Sequence, residues 1–157
     1  MITQKSKVET LHEEIIRLSS GSTQILYEID GICYEAYQIL KSFTITDREE
    51  LIEKLPTWSN KELEFLAFIL HDDSNEVYND NFLLGYIFTL ADDILASSLL
   101  DQWLIFFFEE NTVESMELLD AMLNRLEGLR LNNYIDETTY KYWVEYITNL
   151  KTKQQGL

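Results

Sequence analysis

The residue types and spacings of this chain first suggest metal binding. Glu9 and His12 are three residues apart, so on a helix they share one face, as the carboxylate and histidine ligands of di-iron helical bundles do. Such a site needs two motifs of this kind, whereas the residue three before His71 is Phe68 and the chain has two histidines in all. We therefore interpret His12 as a surface histidine and expect no metal site.

Clusters of acidic side chains suggest a second chemistry, the magnesium-assisted hydrolysis of pyrophosphate bonds. Magnesium needs only one or two protein carboxylates together with the phosphates of its substrate. The carboxylates with suitable spacing are Asp72, Asp73 and Glu76, Asp92 and Asp93, and Glu114, Glu117 and Asp120. The last three resemble the helical acidic face of the all-α nucleoside triphosphate pyrophosphohydrolases, which gives an alternative function. Phosphate binding also needs cations or a glycine-rich nest, and this acidic stretch supplies neither.

The chain offers little for nucleophilic catalysis. Cys33 is the only cysteine, so neither an internal disulfide nor a zinc site of several thiolates can form within one chain. It lies on the apolar face of a predicted helix, and we expect a buried, unreactive thiol. The sequence contains no Walker loop, no GxSxG motif and no HExxH motif. We predict a protein that is not an enzyme and needs no cofactor.

Length and composition predict a single all-α domain. The chain has 157 residues, 46% of them hydrophobic, while five Gly and one Pro are too few for the turns of a β-sandwich or barrel. The formal charge of −16 disfavours binding to nucleic acid or to an anionic membrane. No apolar run reaches the ~20 residues of a transmembrane helix, and acidic residues stand where a signal peptide would be apolar. These features indicate a cytoplasmic protein.

Apolar residues recur at helical spacing along nearly the whole chain, which predicts seven or eight helices and no strand. The first stripe is Val8, Leu11, Ile15 and Leu18, and the last is Tyr140, Trp143, Val144, Ile147 and Leu150. We expect one domain over residues 1–157, an irregular bundle or a short α-solenoid, with a polar tail from about residue 151. The apolar stretch 82–110 is one kinked helix or two helices divided between Ser98 and Leu99.

Capping signals predict where several helices begin. Two are capping boxes, Thr46–Glu49 and Ser59–Glu62, in which the first side chain binds an unpaired backbone N–H and the Glu binds the N–H of the cap. Thr112 and Asp136 are predicted N-caps of the last two helices. Pro56 is predicted to end the helix that Thr46 begins.

The acidic residues are concentrated in the middle of the chain. Residues 57–124 hold fourteen acids and one base, Lys61, for −13, whereas residues 1–56 carry −4 and residues 125–157 carry +1. A helix surface that serves only solubility usually mixes positive and negative side chains. The reason is that Glu–Lys pairs one turn apart each stabilise the helix by roughly 0.2–0.5 kcal/mol. Residues 62–124 contain no Lys or Arg and forgo these pairs, which favours a surface selected to meet a basic partner.

The predicted binding surface has two sets of carboxylates. The loop 71–81 is polar, and exposed loops are where binding residues concentrate. Its acids are Asp72, Asp73, Glu76 and Asp80, and the second set is Asp92, Asp93, Glu109 and Glu110. The apolar run Trp103–Phe108 next to the second set is either core or the hydrophobic anchor of an interface.

In size, acidity and helical content, and in the region from Leu55 through the acidic loop, the chain resembles the helical immunity proteins of bacterial secreted-toxin systems. The resemblance is one of overall character. It implies a partner that is a cognate toxin, such as a basic nuclease, whose substrate-binding face is blocked by carboxylates in place of phosphates. An acidic adaptor or a DNA-mimic inhibitor of another basic protein is the alternative binding function.

Overall fold

The computed structural model describes residues 4–20, 34–71, 81–102 and 115–155. Within these ranges the chain forms eight α-helices and one 3₁₀ turn and contains no β-strand, so the predicted all-α class is confirmed. The chain divides into two compact units, Met1–Asp80 and Asn81–Leu157. The organisation as a single domain stays a prediction. None of the described helices is both long and apolar enough to cross a membrane.

Each unit contributes four of the described helices. Those of the first unit are α1 (Lys7–Ser19), α2 (Tyr34–Lys41), α3 (Ile45–Lys54) and α4 (Asn60–His71), with the 3₁₀ turn Leu55–Thr57 between the last two. Those of the second unit are α5 (Asn81–Leu90), α6 (Asp93–Gln102), α7 (Met116–Leu131) and α8 (Glu137–Gln155).

Helix α1 is central to the first unit, because it packs against α2, α3 and α4. Its predicted apolar stripe is confirmed, since all four of its residues are buried: Val8, Leu11, Ile15 and Leu18. The hydroxyl of Ser6 caps the helix by accepting a hydrogen bond from the N–H of Glu9 (3.1 Å). This bond satisfies one of the backbone donors that the first turn leaves unpaired.

The predicted capping box at Thr46–Glu49 is wrong by two residues. Helix α3 begins at Ile45, and its N-cap is Thr44. Thr44 Oγ1 accepts from the N–H of Asp47 (3.2 Å), and the Asp47 carboxylate accepts from the N–H of Thr44 (2.8 Å). Asp47 therefore completes a capping box with Thr44, two residues before the predicted box that the Glu at position 49 would complete. The backbone bond from Thr44 is also the main reason that the pKa of Asp47 is lowered.

The predicted helix end at Pro56 and the predicted capping box at Ser59–Glu62 are both confirmed. Pro56 lies in the 3₁₀ turn that follows α3. Ser59 Oγ accepts from the N–H of Glu62 (3.2 Å), and Glu62 Oε1 accepts from the N–H of Ser59 (3.3 Å). Helix α4 is buried on most sides, as its apolar run predicts; its buried residues are Leu63, Phe65, Leu66, Ala67, Ile69 and Leu70.

Within the described part of the apolar stretch, residues 82–102, the chain forms two helices that meet at Ala91 and Asp92. The predicted division between Ser98 and Leu99 is wrong, because both residues lie inside α6. The physical reason is capping. Asp92 Oδ1 accepts from the N–H of Leu95 (2.9 Å), so a new helix can start there with its first turn satisfied.

The N-cap of α7 is Ser115 rather than Thr112, which lies outside the described residues. Ser115 Oγ accepts from the N–H of Leu118 (3.1 Å). Both hydroxyl residues suit an N-cap, so residue type alone could not separate them.

Helix α7 ends in a Schellman motif that leads towards α8. The N–H of Tyr134 donates to the carbonyl of Leu129 (2.9 Å), and the N–H of Asn133 donates to the carbonyl of Arg130 (3.1 Å). Asn133 adopts the left-handed conformation that this turn requires, with φ of 62°. Asn tolerates that conformation better than most residues other than Gly. The turn therefore has a defined geometry.

Helix α8 packs against α7, and its predicted N-cap at Asp136 is confirmed. Asp136 Oδ1 accepts from the N–H of Thr139 (2.7 Å), which holds the pKa of Asp136 below its usual value. On the predicted core face Trp143 and Ile147 are buried, whereas Tyr140, Val144 and Leu150 are half-buried. The helix continues to Gln155, through the first residues of the predicted polar tail.

Candidate protein-binding surface

Two of the predicted partner-binding carboxylates, Asp92 and Asp93, lie at the junction between α5 and α6. The others fall outside the described residues: Asp72, Asp73, Glu76, Asp80, Glu109 and Glu110. The same is true of Cys33 and of the run Trp103–Phe108. All of these stay predictions.

Asp92 combines a structural contact with exposure. Its carboxylate accepts from the N–H of Leu95 and so caps α6, at the helix end where the dipole stabilises negative charge. The residue is nevertheless exposed. The helix cap thus fixes the position of a negative charge at the protein surface.

Asp93 is held by Arg125 of α7 and by Asn132, the C-cap of that helix. Its Oδ1 lies 2.7 Å from Nη1 of Arg125, and its Oδ2 accepts from Nδ2 of Asn132 (3.2 Å). Arg125 and Asn132 are seven residues apart, about two helical turns. Nη2 of Arg125 also donates to the carbonyl of Ala91 (2.5 Å). The charge of Asp93 is therefore compensated within the chain.

The segment 62–124 has no Lys or Arg of its own, and three of its carboxylates contact basic residues from elsewhere in the sequence. The pairs join Glu62 to His12, Asp93 to Arg125, and Asp120 to Lys151. Three further carboxylates of the segment form no ion pair in the part of the chain that the structure describes, namely Glu64, Asp101 and Glu117. The negative charge of the segment is thus only partly neutralised by the described bases.

His12 is not the simple surface histidine that the sequence predicts. Its ring stacks on Trp58 with the centroids 4.2 Å apart and the planes at 6°, and its Nε2 lies 2.5 Å from Glu62 Oε1. The side chains of His12 and Glu62 are only 30% and 17% exposed. Burial alone would raise the pKa of Glu62, but its hydrogen bonds with His12 and Ser59 outweigh this and lower it. The contact joins α1 to the start of α4.

Within the described ranges, no group of three or more potential metal ligands occurs. Glu9, which is three residues before His12, has a carboxylate oxygen 3.8 Å from Nζ of Lys54. Of the three acids that resemble the pyrophosphohydrolase face, Glu117 is exposed on α7 and Asp120 is paired with Lys151. The remaining one, at position 114, is outside the described residues.

Three exposed apolar residues lie beside the Asp93–Asn132 contact, and the sequence did not single them out. Ile94 follows Asp93, Leu131 precedes Asn132, and Tyr134 is two residues further on. Ile94 and Leu131 are typical core residues by type. Only the tertiary packing shows which side of each helix faces outward, so no local signal could have identified them.

Comparisons with protein-family models, with curated proteins and with solved structures gave no match to this chain. The chemistry of the surface is therefore what supports a function. Carboxylates can bind the cationic groups of a partner, and exposed apolar side chains can be buried against it.

Proposed function

We propose that this chain is a non-catalytic cytoplasmic protein that binds a basic partner protein through its acidic surface. In its specific form, the proposal is an immunity protein that blocks a cognate bacterial toxin. The observation that carries the proposal is the charge of residues 57–124, a formal −13. The described carboxylates without an ion pair, such as Asp101 and Glu117, support it further.

Electrostatics explains why such a surface favours a basic protein as its partner. Exposed like charges destabilise the compact state through self-repulsion, and a partner with Lys and Arg side chains relieves that repulsion. The same field steers the partner over distances of about 10 Å at 0.1 M salt and raises the association rate. Tight, fast capture is what neutralisation of a toxin requires.

Inhibition needs no chemistry on the part of this chain. Arg and Lys side chains bind carboxylate and phosphate oxygens in similar ways, so an acidic surface can occupy a site built for phosphates. A basic nuclease blocked in this way loses access to its substrate. Helix caps such as that of Asp92 hold a carboxylate in place before binding, which lowers the entropic cost of association.

Protection of a living cell tests this function. The product of the gene next to that of this chain is expressed in a sensitive bacterium, alone and together with this chain. We expect a basic protein that stops growth alone, is tolerated when co-expressed, and elutes with this chain as one complex. The proposal would be contradicted if this chain does not relieve the toxicity and the two proteins elute separately. It would also be contradicted if the product of the neighbouring gene is harmless and acidic and no basic protein cross-links to this chain in its native host.

A further inference from the structure

Three aromatic rings of helix α8 contact one another. The ring centroids of Tyr142 and Tyr146 are 6.0 Å apart, and those of Tyr142 and Trp143 are 5.4 Å apart with the ring planes at 85°. The centroids of Trp143 and Tyr146 are 6.2 Å apart. We name Tyr142, Trp143 and Tyr146 the aromatic cluster. These distances place the three rings together at one position on the helix.

The aromatic cluster fixes the position of Tyr142 and leaves it accessible. Trp143 is buried with 5% exposure, so it anchors the cluster in the second unit. Tyr142 is 52% exposed, although it contacts both of the other rings. A tyrosine side chain also has few rotatable bonds for its size. Tyr142 therefore loses little conformational entropy when a ligand covers it.

A carboxylate lies beside Tyr142 on the same helix. Glu145 is three residues after Tyr142, and side chains at this spacing are neighbours on a helix surface. Glu145 is exposed and forms no ion pair with any residue that the structure describes. The exposed Lys141, which precedes Tyr142, likewise pairs with none of the described acids. Tyr142 and Glu145 thus present a ring and a negative charge to a cation from outside the chain.

The same helix shows this arrangement with its cation bound. Tyr140 is three residues after Glu137, and the guanidinium of Arg130 lies 4.8 Å from the centroid of the Tyr140 ring. Nη1 of Arg130 also lies 3.3 Å from Oε1 of Glu137. A guanidinium in this chain therefore binds a tyrosine and a carboxylate that are three residues apart. Tyr142 and Glu145 have the same residue types at the same spacing, in the opposite order.

An arginine side chain fits a tyrosine ring beside a carboxylate better than other groups do. The face of an aromatic ring attracts cations, and a planar guanidinium can stack on it while its N–H groups donate to a carboxylate. A lysine ammonium is a compact, strongly hydrated charge without a planar face. An apolar ligand would cover Glu145 without compensating its charge. The chemistry of the pair therefore favours arginine.

We propose that Tyr142 and Glu145 form an arginine site, in which a guanidinium of the partner protein stacks on the Tyr142 ring and donates hydrogen bonds to the Glu145 carboxylate. This inference rests on the proposed function, because the basic partner supplies the arginine. It adds a contact outside the acidic segment 57–124. Tyrosine and arginine are among the residue types that carry much of the affinity of protein interfaces. The arginine site holds the partner that the acidic segment attracts.

NMR of the whole chain with three short peptides tests the arginine site. The peptides alternate Gly with Arg, with Lys, or with citrulline, which has the planar end group of Arg without its charge. We expect the Arg peptide to shift the ring signals of Tyr142 saturably and to bind there about fivefold more tightly than the Lys peptide. The citrulline peptide should bind more weakly than the Arg peptide. The proposal would be overturned if the Arg and Lys peptides bind equally at Tyr142, or if the Arg peptide causes no saturable shift there.

Substitutions supply the matched comparison, followed at the backbone amide signals of residues 141–146. Tyr142→Ala and Glu145→Gln should each weaken binding of the Arg peptide by about fivefold, with an unchanged circular dichroism spectrum because both residues are exposed. Tyr142→Phe should bind as wild type does, since it keeps the ring. Glu145→Gln tests the site separately should Tyr142→Ala not fold. Glu53→Gln is the charge control, because Glu53 is an exposed acid of the first unit and its loss should leave binding at α8 unaffected.

The arginine site would be excluded if Tyr142→Ala or Glu145→Gln binds the Arg peptide as wild type does. The same conclusion follows if Glu53→Gln or Tyr142→Phe weakens binding as much as these variants. These failures are distinguishable from failure of the proposed function. If Tyr142→Ala captures the toxic partner with wild-type affinity, the basic partner stands and the arginine site is lost. If the Arg peptide binds at Tyr142 but the protection experiment yields no basic partner, the proposed function is lost instead.

Discussion

The Arg125 guanidinium connects α7 to both sides of the α5–α6 junction. One of its nitrogens lies 2.7 Å from Asp93, near the start of α6, and another donates to the carbonyl of Ala91, just beyond the end of α5. Its Nε is buried and has no hydrogen-bond partner in the described structure. Arg125 thus contacts both Asp93 and the Ala91 carbonyl, while one of its donors is unsatisfied.

The first prediction concerns this contact. Arg125→Met should lower the free energy of unfolding by about 1–3 kcal/mol, because it removes a hydrogen bond to a backbone carbonyl and an ion pair that is mostly shielded from water. Removal of the unsatisfied Nε offsets part of this loss. Asp93→Asn should have a smaller effect, since the bond to Ala91 remains. Urea unfolding measures both, with the exposed Lys141→Met as control; an equal effect of Lys141→Met would contradict the role of Arg125.

The second prediction concerns pH. The pKa of Glu62 is lower in the folded chain than its ordinary value of 4.5. The stability that this carboxylate contributes is therefore complete above 4.5 and is lost as the pH falls through the lowered folded-state value. Glu62→Gln should reduce stability near neutral pH and make it less dependent on pH in the acidic range. Urea unfolding between neutral and acidic pH measures this, and an unchanged acid dependence would contradict it; Glu64→Gln is the control.

The third prediction concerns the core of the second unit. Trp143 is 5% exposed, so Trp143→Ala should lower the free energy of unfolding by about 3–5 kcal/mol through lost contacts and a cavity. The neighbouring Tyr142 is 52% exposed, and Tyr142→Ala should have a much smaller effect. Thermal and urea unfolding of both variants measure the difference. A loss below about 1 kcal/mol for Trp143→Ala would mean that α8 does not dock through this residue.

The fourth prediction is a stabilising substitution. Gly128 lies inside α7, and nothing comes within 4 Å of where a methyl group would be added. Gly128→Ala should raise the free energy of unfolding by about 0.5–1 kcal/mol, because Ala loses less backbone freedom in a helix. Thermal unfolding measures the shift, with Ala121→Gly in the same helix expected to act in the opposite direction. A lower melting temperature for Gly128→Ala would show that the added methyl group meets an obstacle.

Local signals in the sequence predicted the parts of the fold that depend on residues three or four apart. The stripe of α1 and the caps at Ser59 and Asp136 belong to this class, since each needs only one helical turn of sequence. The cap of α3 failed because Thr44 and Thr46 are both suitable hydroxyl residues, and the free energies of alternative caps differ little. The competing Asp47 was sufficient to shift the start by two residues.

Long-range contacts could not be predicted in the same way. Arg125 and Ala91 are 34 residues apart, and nothing in either neighbourhood indicates that they meet. The sequence predicted an acidic surface because net charge needs no structure to be counted. The exposure of Ile94 depends on how α6 packs within its unit, so this part of the candidate surface required the structure.

The most direct measurement of the central claim is the rate at which this chain captures the toxic partner from the protection experiment. The loop variant combines Asp72→Asn, Asp73→Asn, Glu76→Gln and Asp80→Asn. Its control removes four exposed acids from outside the acidic segment, by Glu9→Gln, Glu35→Gln, Glu49→Gln and Glu53→Gln. Both variants remove four negative charges, so a difference between them reports where the charge lies.

Stopped-flow association at low and moderate salt gives the answer. For the loop variant, folded as shown by circular dichroism, we expect association about tenfold slower than for wild type and a weaker salt dependence. The control variant should remain close to wild type. Equal rates and equal salt dependence for the loop variant and wild type would contradict the claim that the acidic loop meets the partner.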